Sequence, residues 1–349
     1  MNVSAKIAYA LTKYLVDPGP AVAKYEAEAV VGELLAQAAR APKFVGEITG
    51  LTQAAQAAQK LPVIVLNRAK WAREIGGFID GISARTSEVR IGMLGSIGSA
   101  LMLGFASTKL LGQFDPFGAN IGKVASAGTI QTASSAGMKY DAQTDGNASQ
   151  NNARKPVSEN MADAKLLLVA PNLAKFRKDY NLDRRDAALW VSVHELTHAV
   201  QFIHAPWLKS YLLTQIDQIL NFDDDSNPAL TDGGLKPIIE RIQNIMSILE
   251  GHAQYVMNSV PINVMPSRNA IIHALNQKRK NSSWIQKKLT TFFGFDQKIA
   301  QYRRGEEFVK EVVERVGMDA FNKIWECPEN FPSSAEFKNR SFGCGGWKS

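Results

Sequence analysis

The chain has 349 residues, 45% of them hydrophobic, so it can bury a sizeable core in one large domain or two. Its net charge of +7 is spread along the sequence, and no segment resembles a known nucleic-acid-binding motif, so we expect no nucleic-acid partner. Two cysteines, Cys327 and Cys344, are too few for a disulfide framework, and reduced thiols in a cytoplasmic protein are expected. Nothing in the sequence indicates an oligomeric state.

Helical patterns dominate the first part of the chain. The stretch Asp17-Pro18-Gly19-Pro20 is a helix start signal, and the residues after it are rich in Ala, Glu and Leu, which favour helix. Pro62 ends the next helical stretch. The sequence predicts helices over residues 21–41, 43–60 and 68–82.

Residues 91–108 form an uncharged segment that is long enough to cross a membrane. Its content of Gly and Ser lowers its hydrophobicity, and amphipathic helices flank it. We therefore expect a buried central helix and no membrane span, with a span as the alternative. The first residues of the sequence show no signal-peptide pattern, which also favours a cytoplasmic location.

The composition changes at residue 121. Residues 121–160 are poor in large apolar side chains and rich in Ser, Asn, Gly and Ala, so they cannot bury enough surface to offset their ordering entropy. We expect a mobile polar loop between an N-terminal helical region, residues 1–120, and a metal-binding region, residues 161–349. These two regions are expected to form one integrated domain. The run 165–170 (KLLLVA), which Pro171 ends, predicts one clear strand.

Residues 190–202 (WVSVHELTHAVQF) contain the pattern H-E-x-x-H in a run that predicts a helix. Residues four apart lie on one helical face, so His194 and His198 can direct two imidazoles at one point. A tetrahedral zinc site requires this arrangement of its first two ligands. Glu195 lies beside them and can take a proton from a water molecule that the metal activates. The chain has only five histidines, so this pattern is not expected by chance.

A catalytic zinc has three protein ligands, and the third can come from one of three downstream residues. His204 has the spacing of H-E-x-x-H-x-x-G-x-x-H, but Gln201 replaces the helix-breaking Gly, so a continuous helix would turn His204 away. Glu250 lies in a second helical run and would complete a His-His-Glu site. His252 points about 200° around the helix from Glu250, so both cannot face one metal. His252 could replace Glu250, support the site from outside the ligand set, or contact the transition state. It could also be a buried structural histidine.

The sequence after the motif is also helical. It predicts helices over residues 207–220, 235–256, 267–280, 284–293, 296–316 and 319–325. The expected fold class is therefore mainly α with a minimal β element.

Several segments together resemble a known family, the zincin-like hydrolases common in actinobacteria. Members are described as zinc-dependent metallopeptidases or, loosely, as proteins associated with deazaflavin cofactor biosynthesis. The segments that carry the resemblance are residues 67–71, 111–117, 167–172, 189–202, 206–208, 249–257 (LEGHAQYVM), 301–303 and 316–321. The loop at 121–160 is longer than the family pattern leads us to expect.

The resemblance implies a mainly α, zincin-like metallopeptidase fold with one H-E-x-x-H helix and a second helix that carries Glu250. It implies zinc ligation by His194, His198 and Glu250, with Glu195 as the catalytic base. Gln254 departs from the family pattern, which has Asp at this position. An Asp there could orient a ligand histidine with its charge, whereas Gln brings no charge.

The leading hypothesis is a zinc-dependent hydrolase, specifically a metallopeptidase. In it, zinc-bound water activated by Glu195 attacks a peptide or amide carbonyl of a peptide or protein substrate. His252, Gln254 and Tyr255 are the candidates for supporting or transition-state contacts, and Arg303 is a further candidate for oxyanion stabilisation. The alternative hypothesis is a zincin-like scaffold with a structural or lost metal that acts as a binding protein.

Overall fold

The computed structural model describes residues 17–83, 110–117, 163–220, 235–281 and 303–333, with a few single residues beside these ranges. Its helices are α1 (Lys24–Thr49), α2 (Thr52–Ala58), α3 (Arg68–Ser83), α4 (Ala170–Tyr180), α5 (Arg184–His204), α6 (Trp207–Leu220), α7 (Leu235–Ser259), α8 (Arg268–Asn281), α9 (Arg303–Val316) and α10 (Met318–Phe321). The strands are β1 (Val63–Leu66), β2 (Gly112–Asp115) and β3 (Lys165–Val169), and two 3-10 turns follow α10 (Asn322–Trp325 and Pro328–Asn330). The fold is therefore mainly α with a small sheet, as the sequence predicts.

Helix α5, which contains the H-E-x-x-H pattern, lies at the centre of the structure. Every side chain from Asp186 to Ile203 is buried, so most of this helix has no solvent face. It packs against α1, α2, α7 and strand β2. The carboxylate of Asp183 accepts a hydrogen bond from the backbone N–H of Asp186 and caps the helix start. Packing on all sides gives the motif a rigid support.

The three strands form one sheet in the order β1–β3–β2. Strand β1 runs parallel to β3, with Val63 opposite Leu166, and β2 runs antiparallel, with Gly112 opposite Leu168. The predicted strand 165–170 is confirmed as Lys165–Val169. Because β2 is an outer strand that also contacts α5, it connects the sheet to the motif helix.

Strand β3 is buried on both faces. Leu166 and Leu168 belong to the main hydrophobic core around α5, whereas Leu167 and Val169 join a second cluster that includes Trp71 of α3. Successive side chains of a strand point to opposite faces, which explains why one apolar run serves two clusters.

The prediction of two helices separated near residue 42 is wrong. Helix α1 continues through Pro42 to Thr49, and Gly50 then adopts a φ of 72°. The N–H of Gly50 donates to the carbonyl of Gly46, which completes the helix end. Glycine adopts positive φ without steric cost, so the helix ends at Gly50 rather than at the proline.

The other helix predictions within the described ranges agree with the structure, with ends that shift by a few residues. The predicted helix 319–325 is α10 followed by a 3-10 turn. The sequence does not predict β1, β2 or α4. Predictions for most of residues 91–108, for 121–160, for 284–293 and for 296–302 fall outside the described residues, and the division into regions at residues 120 and 160 stays a prediction. Within the described ranges, no helix has the length and apolar content to cross a membrane.

Candidate metal centre

His194 and His198 lie one turn apart on α5 and face each other. Their ring centroids are 4.8 Å apart at an interplanar angle of 86°. The two Nε2 atoms are separated by 3.3 Å. Both rings are buried, so α5 presents two imidazole nitrogens to one small volume.

Helix α7, which packs against α5, brings Glu250 to the same place. Oε2 of Glu250 lies 3.5 Å from Nε2 of His194, and Oε1 lies 3.7 Å from Nε2 of His198. The side chain of Glu250 is only 12% exposed. Ligand atoms of the three residues all lie within 4.8 Å of one another, so this group could hold a metal ion.

The three residues fit a zinc ion in the chemistry of their donor atoms, and the two nitrogens also fit it in spacing. Two imidazole nitrogens and one carboxylate oxygen form a donor set of the kind found in catalytic zinc sites. With zinc–donor distances of about 2.0–2.2 Å, tetrahedral geometry separates the donor atoms by about 3.3–3.6 Å. The two imidazole nitrogens, 3.3 Å apart, match this range. Each nitrogen also lies close to one oxygen of the Glu250 carboxylate, His194 at 3.5 Å from Oε2 and His198 at 3.7 Å from Oε1.

Glu195 is held by strand β2. It is 3% exposed, and its Oε2 accepts a hydrogen bond of 3.0 Å from the backbone N–H of Phe114. A Cβ atom placed on Gly112 would lie 2.7 Å from Cγ of Glu195. The Glu195 side chain therefore lies directly against the backbone of β2, and the absence of a side chain at Gly112 makes room for it.

Gln201 connects the two helices that carry the donor atoms. Its Oε1 lies 2.9 Å from Nδ1 of His198. Its Nε2 donates to the carbonyl oxygen of Leu249 at 3.0 Å and lies 3.0 Å from Nδ1 of His252. One fully buried amide thus touches a histidine of the candidate site, the residue before Glu250, and a second histidine.

His252 lies behind the donor group and not within it. Its ring stacks on Phe321, with centroids 5.3 Å apart at 26°, and packs against Trp325. Complete burial, and secondarily the proximity of His198, lower the pKa of His252 to about 3. His252 is therefore neutral at physiological pH and adds no positive charge beside a bound cation.

The remaining candidates do not belong to the group of donor atoms. Gln254 donates to Oδ1 of Asn258, one turn along α7, and Tyr255 is half-buried against the main core. Helix α5 continues through His204, which lies outside the group of donor atoms. The side chain of Arg303 falls outside the described part of the chain.

Sequence reasoning missed three parts of this site. Gln201 follows His198 by three residues and so shares its helix face, which is the signal that could have found it. Trp190 precedes His194 by four residues, and their rings stack at 14° with centroids 6.3 Å apart. The contribution of β2 has no local signal, since it depends on how the sheet packs against α5.

Comparisons with known proteins give two matches. A family model described as zincin-like metallopeptidase matches residues 3–232 and 234–341. A crystal structure of a candidate hydrolase with a novel fold from Chloroflexus aurantiacus is similar at a TM-score of 0.64 and 23% identity, and the match covers 96% of this chain and 94% of that one. At this identity the likeness shows the fold alone. No curated protein shows a significant match to this chain.

Proposed function

The chain belongs to the family of zincin-like metallopeptidases, and from this membership we propose that it is a zinc-dependent hydrolase that cleaves a peptide or amide bond. The observation that carries the proposal is the convergence of His194, His198 and Glu250, whose donor atoms lie within 4.8 Å of one another. These three residues would hold the zinc ion. The association of the family with actinobacteria and with deazaflavin cofactor biosynthesis stays a prediction.

A zinc ion in such a site supplies Lewis acidity, which polarises a carbonyl and lowers the pKa of water to about 7. Glu195 is the general base in our proposal. It follows His194 directly on α5, so its carboxylate would lie close to a zinc-bound water, and one of its oxygens accepts a hydrogen bond from the Phe114 N–H. A carboxylate in this position can accept a proton from water and donate it to the leaving amine.

The burial of the site supports this chemistry. His194, Glu195 and His198 are each less than a tenth exposed. Electrostatic interactions are stronger where bulk water is excluded, and side chains locked by packing need little reorganisation during the reaction. We propose a peptide or protein substrate.

The variant Glu195→Gln tests the proposed base. Gln keeps the shape of the side chain and an oxygen that can accept the Phe114 N–H, but it cannot accept the proton from water. We expect hydrolysis of a peptide library to fall by about 10²- to 10⁴-fold, with zinc still bound. Glu47→Gln is the matched control, because Glu47 is exposed on α1 and pairs only weakly with Lys43 at 3.8 Å.

Two results would contradict the proposal. If Glu195→Gln with bound zinc hydrolyses the library at the wild-type rate, Glu195 is not the base. If carefully purified wild-type protein contains well under one zinc per chain and does not take up zinc, the scaffold hypothesis is favoured.

A further inference from the structure

Gln201 lies at the junction between the two histidines and helix α7, and it is completely buried. A buried amide must satisfy both its oxygen and its NH₂ group, because each unsatisfied polar group in the interior costs free energy. Gln201 meets this requirement with three contacts, to His198, to the Leu249 carbonyl and to His252. These contacts fix which end of the amide faces which partner.

The orientation of the amide follows from the Leu249 carbonyl. A carbonyl oxygen can only accept a hydrogen bond, so the Gln201 atom 3.0 Å from it must belong to the NH₂ group. The amide oxygen of Gln201 must then face Nδ1 of His198, at 2.9 Å. A flipped amide would place two oxygens against each other at Leu249.

The amide orientation in turn sets the tautomers of both histidines. The Gln201 oxygen can only accept, so Nδ1 of His198 carries a proton and donates it. Neutral His198 then has its lone pair on Nε2, the atom that faces His194 and Glu250. The Gln201 NH₂ group donates to Nδ1 of His252, so His252 carries its proton on Nε2.

We propose that Gln201 is a positioning residue of the metal site. It holds His198 in the tautomer that offers Nε2 to the metal, and it holds α7 at the distance that brings Glu250 to the same point. This role rests on the proposed zinc-dependent function. The link to α7 is direct, since Leu249 precedes Glu250 in the chain.

A glutamine suits this position better than the residues nearest to it in shape. Glu has no NH₂ group, so it would place a carboxylate oxygen against the Leu249 carbonyl. Met has a similar length and can form none of the three contacts. Asn is one methylene shorter and cannot span from His198 on α5 to Leu249 on α7.

The test compares Gln201→Met and Gln201→Glu with the wild type in two measurements. The first is the zinc Kd, obtained by competition with a chromophoric chelator. Loss of a hydrogen-bond partner of a metal-ligating histidine weakens metal binding by about 10- to 100-fold, and we expect this increase in Kd for Gln201→Met. Gln201→Glu keeps an acceptor for Nδ1 of His198 and loses only the NH₂ group that contacts the Leu249 carbonyl, so an increase in its Kd measures the contribution of the link to α7. The second is the tautomer of each histidine in metal-free protein, read from imidazole ¹⁵N chemical shifts. We expect His198 protonated on Nδ1 and His252 on Nε2 in the wild type, and a mixture of tautomers in Gln201→Met.

Gln215→Met is the matched control. Gln215 is also a buried glutamine, on α6, and its Oε1 accepts no hydrogen bond within the described part of the chain. We expect wild-type zinc Kd and wild-type histidine shifts in this variant. The control separates loss of the Gln201 contacts from the general effect of removing a buried amide.

The outcomes separate this inference from the proposed function. A folded Gln201→Met with the wild-type zinc Kd overturns the positioning role alone. A wild type that binds no zinc overturns it together with the proposed function. If Gln201→Met does not fold, the histidine ¹⁵N shifts of the wild type and the zinc Kd of Gln201→Glu test the inference instead. A wild-type zinc Kd in Gln201→Glu would overturn the link to α7. A proton on Nε2 of His198 in the metal-free wild type overturns the inference.

Discussion

Gly112 is a position where a single methyl group would reach the proposed catalytic base. A Cβ atom there would lie 2.7 Å from Cγ of Glu195 and 3.1 Å from Cδ2 of Leu168. The leucine belongs to the packed core, so the strain falls mainly on the Glu195 side chain. We expect Gly112→Ala to lower hydrolysis by about 10²-fold, because displacement of a catalytic group by about 1 Å has this effect. The measurement is kcat at unchanged zinc content.

Gly32→Ala provides the comparison for this variant. Gly32 is a glycine of α1 with open space around the position of its Cβ. The variant Gly32→Ala should therefore hydrolyse the substrate at the wild-type rate. Equal rates for wild type and Gly112→Ala would show that Glu195 is not constrained by β2 in the reaction.

At the residue scale, the sequence predicts the pair His194 and His198 well, because helical periodicity alone places them together. It favours Glu250 among three options for the third ligand, but the position of Glu250 beside the two histidines depends on how α7 packs against α5. It offers His252, Gln254 and Tyr255 for supporting roles and does not name Gln201, which the structure shows in contact with His198. Which polar side chain reaches a ligand across two helices is a tertiary property that one sequence does not show.

At the scale of elements, α7 and α9 cross at a pair of glycines. A Cβ atom on Gly251 would lie 2.3 Å from the carbonyl carbon of Gly305, and one on Gly305 would lie 2.3 Å from the carbonyl oxygen of Ser247. Both contacts are with backbone, which cannot move as a flexible side chain can. The two helices therefore approach closely next to Glu250, and the crossing holds α7 in place at the candidate metal centre.

Gly251→Ala should separate these two helices. We expect overpacking to lower the free energy of unfolding by about 3 kcal/mol, although alanine favours helix over glycine by about 1 kcal/mol. The measurement is denaturant unfolding. The zinc Kd should rise as well, because residue 251 follows Glu250 directly.

Gly32→Ala also serves as the control for Gly251→Ala, because it changes helix propensity without adding a new contact. Comparing the two variants separates overpacking at the crossing from the gain in helix propensity. Gly32→Ala should raise the free energy of unfolding by up to about 1 kcal/mol. If Gly251→Ala also stabilises the protein, the close crossing of α7 and α9 is not as described.

The element predictions fail where tertiary packing overrides a local signal. Pro42 is a strong helix breaker, yet α1 continues past it because the helix is buried along α5 and Gly50 supplies a better end. The run Val63–Leu66 is rich in β-branched residues and carries a strand signal that could have been used. Strand β2 (GQFD) has no such signal and becomes a strand only by pairing with β3.

At the scale of the whole molecule, zinc should stabilise the fold, because its proposed ligands come from two helices that are distant in sequence. A ligand at 100 times its Kd that binds only the native state adds about 2.7 kcal/mol. We expect the thermal unfolding midpoint to rise by several degrees when zinc replaces a chelator in the buffer. Calorimetry of the same preparation in both buffers measures this shift.

The variant Glu250→Gln tells whether the shift comes from the proposed site. The quantity to compare is the difference in thermal unfolding midpoint between the zinc and chelator buffers. This difference should be much smaller in Glu250→Gln than in the wild type. A wild-type midpoint that is the same in both conditions would argue against a metal site built into the fold.

The architecture as a whole follows from the sequence more readily than its details. Helical periodicity and the scarcity of strand signals predict a mainly α fold, and the structure has it. The order of the sheet, with β3 between β1 and β2, joins segments whose pairing no local pattern indicates. This order matters for the site, because it places β2 next to Glu195.

The uncharged nature of Gln201 has a consequence for the electrostatic balance of the site. His194 and His198 contribute no charge when they are neutral, and Glu195 and Glu250 contribute one negative charge each. Together with a divalent cation this set is electroneutral, and Gln201 leaves the sum at zero where an acidic residue would make it negative. A site without excess negative charge does not repel the electron density that a carbonyl oxygen gains under nucleophilic attack.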